Sequence, residues 1–324
     1  MTVPKLSRRT ALSTLGVAGV ALLAEPLMGS VDPQTSVVSA LSEASRQQLA
    51  SLQRDPGFSG VIRAADAKAL ADRDHMTNDQ LMMALLPAAS TYSRAPISNF
   101  HVGAVARGES GDLYFGANLE VPGQPLSASV HAEQSAIANA YMHGDKGVSA
   151  IAVNYAPCGH CRQFMNELSV SGDLDIFVSK EQPTKLSILL PHSFGPKDLG
   201  ARSGVFPPQS NGKFVTASSS GPLATAALDA ARAAYAPHSG SPSGVAIQTR
   251  SKKVFKGSYI ENAAYNPSLS PTQTALSALV LANGDFADIE AVQLVELRGA
   301  KISQQNATRV VLAALAPNAK ITVD

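Results

Sequence analysis

Residues 150–168 read AIAVNYAPCGHCRQFMNEL, and this stretch decides the architecture of the region around it. Residues 150–155 predict a buried strand, because they form a short and largely apolar run. Pro157 then predicts the start of a helix, since proline fits the first helical turn. Cys158 and Cys161, the two cysteines of the 324-residue chain, lie at this strand-to-helix junction. We therefore expect both thiols at the carboxyl end of a strand.

A second motif precedes this strand, where His131-Ala132-Glu133 begins another predicted helix. Two helix N-termini can then converge at one strand end and bring an imidazole and two thiolates together. Three protein ligands, His131, Cys158 and Cys161, are the open arrangement of a zinc site in which water takes the fourth position. Unpaired backbone N–H groups at helix N-termini also favour the thiolate form of cysteine. The sequence predicts one Zn²⁺ per chain.

Two charged residues stand beside these ligands in the sequence. Glu133, two residues after His131, is placed to take a proton from zinc-activated water. Such a base matters because two thiolates formally cancel the charge of zinc and weaken its effect on water. Arg162 directly follows Cys161, and we expect its guanidinium to donate a hydrogen bond to a thiolate sulfur.

The preceding part of the chain predicts a hairpin and two helices. Residues 100–107 (FHVGAVAR) and 112–118 (DLYFGAN) are apolar and aromatic runs separated by a turn, which is typical of a hairpin. Residues 36–53 and 78–92 carry apolar side chains at helical spacing. A small helical piece therefore precedes the hairpin.

The C-terminal part of the chain repeats this order at a constant offset of 141 residues. The matching pairs are Ala95-Pro96 with Ala236-Pro237, Gly103 with Gly244, Gly116 with Gly257, and Glu120 with Glu261. The repeat predicts helices at 222–235, 271–283 and 304–316 and strands at 244–249, 254–260 and 290–297. At the same offset Thr272 replaces His131, Thr274 replaces Glu133, and Arg298-Gly299-Ala300 follows the last strand. The second unit is expected to keep the fold and to lack the chemistry.

These observations divide the chain into five segments. They are a possible targeting segment or overlong start at 1–30, a helical N-terminal domain at 31–78, a catalytic domain at 79–190, a Pro/Gly/Ser-rich linker at 191–221 and a degenerate, non-catalytic domain at 222–324.

Residues 1–30 leave the location of the protein open. Arg8-Arg9 followed by an apolar run resembles a twin-arginine export signal, and a transit peptide has a similar character. Initiation at Met28 would instead remove the segment and leave a cytoplasmic protein, which is the location we expect. The apolar run is shorter than the ~20 residues that a transmembrane helix needs.

Composition excludes several classes of protein. Hydrophobic residues make up 45% and charged residues 16% of the chain, which is incompatible with a disordered protein. The formal net charge of +1 provides no overall attraction to a nucleic acid or an anionic membrane. We therefore expect neither as a partner.

H-x-E followed by P-C-x-x-C is the signature of zinc-dependent nucleobase deaminases. The resemblance extends over nearly everything after about residue 35 and is to the long, homodimeric bacterial type of cytidine deaminase. It rests on residues 98–100 (SNF), 102–104 (VGA), 114–120 (YFGANLE), 130–137 (VHAEQSAI), 153–155 (VNY), 157–168 (PCGHCRQFMNEL) and 194–199 (FGPKDL).

This resemblance implies a duplicated three-layer α-β-α sandwich with a mixed sheet. It implies hydrolytic deamination of cytidine and 2′-deoxycytidine in pyrimidine salvage, with Glu133 carrying protons to N3 and to the leaving amine. Phe100 would lie against the pyrimidine, Asn118 and Glu120 would hold a ribose hydroxyl, and the Ala156 carbonyl would accept a hydrogen bond from the amino group.

The resemblance also implies a homodimer whose active site is completed by the partner chain. Loop 262–267 of that chain, which contains Tyr265, is the candidate lid.

Other interpretations remain for single motifs. Cys158-Gly159-His160-Cys161 alone is typical of a thiol–disulfide oxidoreductase, and a zinc site can also be purely structural. A deaminase acting on nucleic acid is disfavoured by the absence of a basic, aromatic-rich strip. Phe100 has a possible core role, Asn118 and Glu120 a possible role in stabilising a turn, and His160 is expected to face solvent or to pack rather than to act as a fourth ligand.

Overall fold

The structure is a computed structural model that describes residues 40–168, 173–201, 204–206, 209, 211 and 217–324. In this part of the chain the strands form two mixed sheets, one in each unit. The first has six strands, in the spatial order 61–62, 113–117, 103–108, 148–153, 175–178 and 184–185, and the second has four, in the order 320–323, 289–296, 243–249 and 254–258. The expected duplicated α/β architecture is thereby confirmed.

The first unit contains twelve α-helices and β-strands in the described residues. They are α1 (Glu43–Arg54), β1 (Val61–Ile62), α2 (Ala64–Arg73), α3 (Asn78–Ser90), β2 (Gly103–Gly108), β3 (Leu113–Ala117), α4 (Ala132–Met142), β4 (Val148–Val153), α5 (Gly159–Asn166), β5 (Asp175–Val178), β6 (Thr184–Lys185) and α6 (Leu186–Leu189). β2 and β3 form the expected hairpin. β4 lies between β2 and β5, antiparallel to the former and parallel to the latter.

The second unit contains seven elements. They are α7 (Pro222–Arg232), β7 (Ser243–Thr249), β8 (Val254–Ser258), α8 (Pro271–Leu281), β9 (Ile289–Glu296), α9 (Gln305–Leu315) and β10 (Lys320–Val323). β7 pairs antiparallel with β8 and β9, and β10 is parallel to β9. The arrangement repeats that of β2, β3, β4 and β5.

Two glycines of the hairpin bring one helix onto each face of the first sheet. A Cβ at Gly103 would lie 2.5 Å from a backbone atom of α3, and one at Gly116 would lie 2.2 Å from α4. Gly103 pairs with Ala117, so Gly116 lies one position away along β3 and on the opposite face. The sheet is therefore covered by helices on both sides, with glycine at each point of closest approach.

The second unit has glycine at the equivalent positions, 141 residues later in the chain. A Cβ at Gly244 would lie 2.1 Å from the backbone of α7, and one at Gly257 would lie 2.3 Å from that of α8. Side chains cannot occupy such positions without moving the helix. Glycine at these repeated positions is thus explained by backbone packing.

The 141-residue offset does not extend into the helix after the hairpin. In the first unit Leu119 bridges Val130, 11 positions later, whereas in the second unit Ile260 bridges Leu269, only nine positions later. The intervening loop is two residues shorter in the second unit. The N-cap of α8 is Ser270, so Ser270 corresponds to His131 and Thr272 to Glu133. The sequence-based pairing with Thr272 and Thr274 was therefore wrong by two residues.

The N-terminal piece is not purely helical. β1 lies between α1 and α2 and pairs antiparallel with β3, with Ile62 opposite Leu113. A strand of two residues has too short a pattern to be recognised in the sequence. This segment thus contributes an edge strand to the first sheet.

Residues 1–30 lie outside the described residues. The expected cytoplasmic location therefore stays a prediction. Among the helices that the structure describes, none has the length and apolarity needed to cross a bilayer.

A buried carboxylate joins the two units. Glu167 follows the last turn of α5, and its side chain has no exposed surface. Its Oε1 accepts a hydrogen bond from the Tyr235 hydroxyl at 2.9 Å and lies 2.7 Å from Nε2 of His238. Its Oε2 accepts from the backbone N–H of Ala263 at 2.9 Å. The helix that begins beside the cysteines is thus held at its other end by the second unit.

We expect Gly116→Ala and Gly257→Ala to lower the free energy of unfolding by similar amounts, about 1–3 kcal/mol, because each forces a helix away from its sheet. Only Gly116→Ala displaces the helix that carries His131 and Glu133, so only it should also lower the zinc content. Urea unfolding and metal analysis of both variants measure the two effects. Equal zinc retention in both variants would contradict this account of Gly116.

Glu167→Gln should lower the free energy of unfolding by about 3 kcal/mol, because a buried group with three partners loses its charge and one acceptor. Glu181→Gln, at an exposed glutamate, is the control and should change little. Chemical denaturation of the two variants checks this. A Glu167→Gln protein as stable as the control would show that the buried contact does not hold the units together.

Candidate active site

The close approach at Gly116 places the N-terminus of α4 at the end of the hairpin. His131 is the N-cap residue of this helix and keeps an extended backbone. Its N–H donates to Oε1 of Gln134 at 3.2 Å. The side chain is therefore free of a capping role and projects from the helix end. Glu133 lies in the first turn and is only 4% exposed.

The three predicted metal ligands lie together. Nδ1 of His131 is 3.6 Å from Sγ of Cys158 and 3.3 Å from Sγ of Cys161, and the two sulfurs are 3.5 Å apart. Zinc bonds of about 2.0–2.3 Å at tetrahedral angles put ligand atoms about 3.5–3.8 Å apart. The donor set and its dimensions therefore fit one zinc ion with its fourth position open.

The electrostatics of the cluster favour a cation. The hydrogen bonds of Cys158 with Cys161 and His131 lower its pKa to about 3. The pKa of Cys161 is raised by its hydrogen bond with Cys158 and by its burial. The hydrogen bond to Cys158 also raises the pKa of His131. A metal ion in this position would replace these shared protons and hold both sulfurs as thiolates.

The carboxyl group of Glu133 is held in a low-dielectric environment. Burial raises its pKa above the ordinary value of 4.5, against a smaller opposing effect of hydrogen bonds from its own backbone and Cys161. A carboxyl group with a raised pKa exchanges protons closer to neutral pH than an exposed one. The expected role of Glu133 in proton transfer stays a prediction.

A cavity of about 460 Å³ contains all of the predicted site residues. On its walls lie Phe100, Asn118, Glu120, His131, Glu133, Cys158 and Cys161. Ala156 also lines it, and the expected hydrogen bond to its carbonyl stays a prediction. The structure thus brings together residues from three separate sequence motifs.

Asn118 and Glu120 follow β3 and both bind the segment that precedes β2. The side-chain oxygen of Asn118 accepts from the Ser93 hydroxyl at 2.6 Å and from the backbone N–H of Val102 at 2.9 Å. Its Nδ2 donates to the Phe100 carbonyl at 2.8 Å. The turn-stabilising role that the sequence left open for these residues is therefore present in the structure.

Glu120 binds the same segment through both carboxylate oxygens. It accepts from the N–H groups of Ile97 and Ser98 and from the Ser98 hydroxyl. Burial alone would raise its pKa, but these hydrogen bonds outweigh burial and lower it. Glu120 is therefore ionised in the folded protein at neutral pH.

Phe100 is a cavity residue rather than a core residue. It is 48% exposed, and its ring centroid lies 4.4 Å from that of Tyr155, which also lines the cavity. The sequence assigned no role to Tyr155, although it lies between β4 and Cys158. The two rings form an apolar wall that a planar heterocycle can contact.

Of two neighbours of the ligands, Arg162 differs from expectation and His160 does not. The Arg162 guanidinium donates to the carbonyls of Pro157 and Leu189, at 2.8 Å and 3.0 Å, and so ties α5 to α6 instead of reaching a thiolate. The His160 ring stacks on that of His131, with centroids 4.9 Å apart. His160 therefore packs against a ligand, which is one of the two roles the sequence left open.

Loop 262–267 lies against its own chain. The Asn262 side chain donates to the Gln163 carbonyl at 2.9 Å, and Gln134 donates to the Pro267 carbonyl at 2.9 Å. Tyr265 is 65% exposed. Its expected contact with a partner chain stays a prediction.

Comparison with known proteins agrees with this site. Two parts of the chain, residues 76–172 and 186–309, match families described as the cytidine and deoxycytidylate deaminase zinc-binding region. These matches cover both units and place the chain in the class of zinc-dependent deaminases.

Curated relatives extend the match to most of the chain. A cytidine deaminase of Vibrio vulnificus is 44% identical over 287 residues, covering 89% of this chain and 97% of that protein. A cytidine deaminase of Salmonella dublin is 44% identical over 275 residues, covering 85% and 92%. The crystal structure of cytidine deaminase from Burkholderia pseudomallei is 31% identical, with a TM-score of 0.32, and covers 35% of this chain and 96% of that one.

The chain belongs to the cytidine deaminase family. It is a zinc-dependent hydrolase. The two alternatives, a thiol–disulfide oxidoreductase and a purely structural zinc protein, are therefore excluded.

In metal-free protein at pH 7, Glu133→Gln should raise the free energy of unfolding. The pKa of this carboxyl is higher in the folded state than the ordinary 4.5, so ionisation above pH 4.5 favours unfolding and is lost in the variant. The difference between the two proteins should vanish below pH 4.5, where both states are protonated. Thermal melting across pH tests this, and a difference independent of pH would contradict the assigned cause.

Proposed function

We propose that the protein hydrolyses cytidine and 2′-deoxycytidine to uridine and 2′-deoxyuridine, with release of ammonia, in pyrimidine salvage. The observation that carries this proposal is a buried carboxyl group, Glu133, in the same cavity as three zinc-ligating atoms. A structural zinc site has no need for such a group.

Zinc, when bound, supplies the Lewis acid that lowers the pKa of water. Glu133 takes a proton from this water and delivers it to N3 of the pyrimidine as the water oxygen bonds to C4. It then takes the remaining proton of that oxygen and passes it to the exocyclic amine, so that the C4–N bond breaks, ammonia leaves and C4 keeps the oxygen as a carbonyl. Because burial raises its pKa, Glu133 can hold a proton between these two transfers. The Ala156 carbonyl accepts a hydrogen bond from the departing amine.

Asn118 and Glu120 hold the sugar through the hydrogen-bonding groups that their contacts with the loop before β2 do not use. Asn118 uses one Nδ2 hydrogen for the Phe100 carbonyl and has a second. Glu120 Oε1 accepts only the Ser98 hydroxyl among its described partners, and it retains a lone pair. One ribose hydroxyl can accept from Asn118 and donate to Glu120. The same hydroxyl, the 3′-OH, is present in cytidine and 2′-deoxycytidine.

The pyrimidine lies against the apolar wall formed by Phe100 and Tyr155. This position directs C4 toward the ligand cluster and the sugar toward Asn118 and Glu120. Both nucleosides have the same base and the same 3′-OH. We therefore propose that the two are both substrates.

The working form is a homodimer. Apolar side chains that line the cavity are strongly exposed in one chain, among them Leu126 at 74% and Phe100 at 48%. A second copy that covers this cavity would exclude water from the reaction. Light scattering gives the mass, and a Tyr265→Ala variant with full activity would exclude this residue as the partner's lid.

Cytidine incubated with the zinc-loaded protein should lose its absorbance as uridine forms. Glu133→Gln should retain zinc and lose at least about 100-fold in kcat, because proton transfer by a positioned group contributes 10²–10⁴-fold. Glu181→Gln is the matched control and should retain full activity. Wild-type protein with one zinc per chain and no turnover of either nucleoside would refute the proposed function.

A further inference from the structure

The contacts of Glu120 are reproduced in the second unit by Glu261. Glu120 accepts from Ile97 N at 2.8 Å, from Ser98 N at 3.0 Å and from the Ser98 hydroxyl at 2.5 Å. Glu261 accepts from His238 N at 2.7 Å, from Ser239 N at 3.1 Å and from the Ser239 hydroxyl. We call each serine with its glutamate a serine–glutamate clamp.

Each clamp also fixes the turn that follows its serine. The Ser98 hydroxyl accepts from the N–H of Phe100 at 3.0 Å, and the Ser239 hydroxyl accepts from Ser241 at 3.0 Å. The residue between them has a positive φ in both units, 54° at Asn99 and 67° at Gly240. The serine hydroxyl thus links the carboxylate to the backbone of the residue two positions later.

The second clamp exists without a catalytic site. Ser270 and Thr272 stand at the positions of His131 and Glu133, and the Thr272 hydroxyl is 2.7 Å from that of Thr308. Neither Ser270 nor Thr272 has a side chain of the kind that binds zinc in proteins, which is a thiolate, an imidazole or a carboxylate. The clamp is therefore a property of the fold and does not need substrate in order to form.

What differs between the units is the residue that the clamp holds. In the second unit it is Ser241, which is 2% exposed and accepts a hydrogen bond from Lys301 N. In the first unit it is Phe100, which lines the cavity against Tyr155. The same turn has thus become the support of an aromatic wall.

We propose that Ser98 is a positioning residue that couples sugar binding at Glu120 to the placement of Phe100 against the base. Its hydroxyl hydrogen goes to Glu120 and its oxygen accepts from Phe100, so one side chain joins the two halves of the substrate site. The inference rests on the proposed function, because it assigns Glu120 to the sugar and Phe100 to the pyrimidine.

The coupling should affect substrate binding rather than the chemical step. Ser98 lies in the loop before β2, whereas Glu133 and the metal ligands lie on α4 and at the start of α5. Loss of the hydroxyl removes a hydrogen bond to a carboxylate and frees the turn that carries Phe100. A hydrogen bond to a charged group corresponds to about a tenfold change in binding or more.

The internal repeat supplies a matched control. Ser98→Ala and Ser239→Ala remove the same two hydrogen bonds, so their melting temperatures should fall by equal amounts. Only Ser98→Ala should raise KM for cytidine, by about tenfold, with kcat within about twofold of wild type and unchanged zinc content. Ser98→Thr, which keeps a hydroxyl at an exposed position, should restore KM.

A double variant tests the route of the effect. If Ser98 acts through the aromatic ring, Ser98→Ala should raise KM much less in a Phe100→Ala background than in wild type. An equal rise in both backgrounds would overturn the coupling.

The remaining outcomes separate the inference from the function on which it rests. An active wild-type enzyme whose KM is unchanged by Ser98→Ala would refute the role of Ser98 and leave the proposed function intact. Unfolding of Ser98→Ala alone, with Ser239→Ala stable, would refute the equivalence of the two clamps. Absence of cytidine turnover in wild type would refute the proposed function itself.

Discussion

The close contact between a helix and a strand at Gly116 is the constraint on which the site depends. With no side chain at this position, the backbone of α4 packs directly on β3, and the helix start is fixed relative to the sheet. His131 and Glu133 then lie at the end of the hairpin, next to the end of β4 where the cysteines follow. The ligand cluster is thus a consequence of backbone packing as much as of the side chains themselves.

The second unit contributes to this arrangement although it has no ligand set. α4 packs against α8, and the Ser135 and Ser277 hydroxyls lie 2.6 Å apart in that contact. Glu167 anchors the far end of α5 among donors of the second unit. Both helices that carry site residues are therefore supported by contacts with the second unit. The second unit thus has a structural role.

The sequence predicted the parts of the site that depend on motifs and regular elements. His131, Cys158 and Cys161 lie together because each stands at a junction whose position follows from strand and helix patterns. Irregular backbone was harder to predict. The offset between the units changes inside a loop, where no periodicity marks a deletion, and β1 is too short to show alternation. The function of the Ser98 hydroxyl depends on a turn at Asn99, and the repeated Ser239-Gly240 was the available signal for it.

The two units together separate what folding requires from what the reaction requires. Gly244, Gly257 and the clamp at Glu261 recur in the second unit, where the described residues form no cluster of metal-ligating side chains. The positions of the ligand and the acid–base group have changed there to Ser270 and Thr272, and the loop leading to them has shortened. Comparison of the two copies within one chain therefore distinguishes the residues that packing of the sheet requires in both units from the residues that occur only beside the ligand cluster.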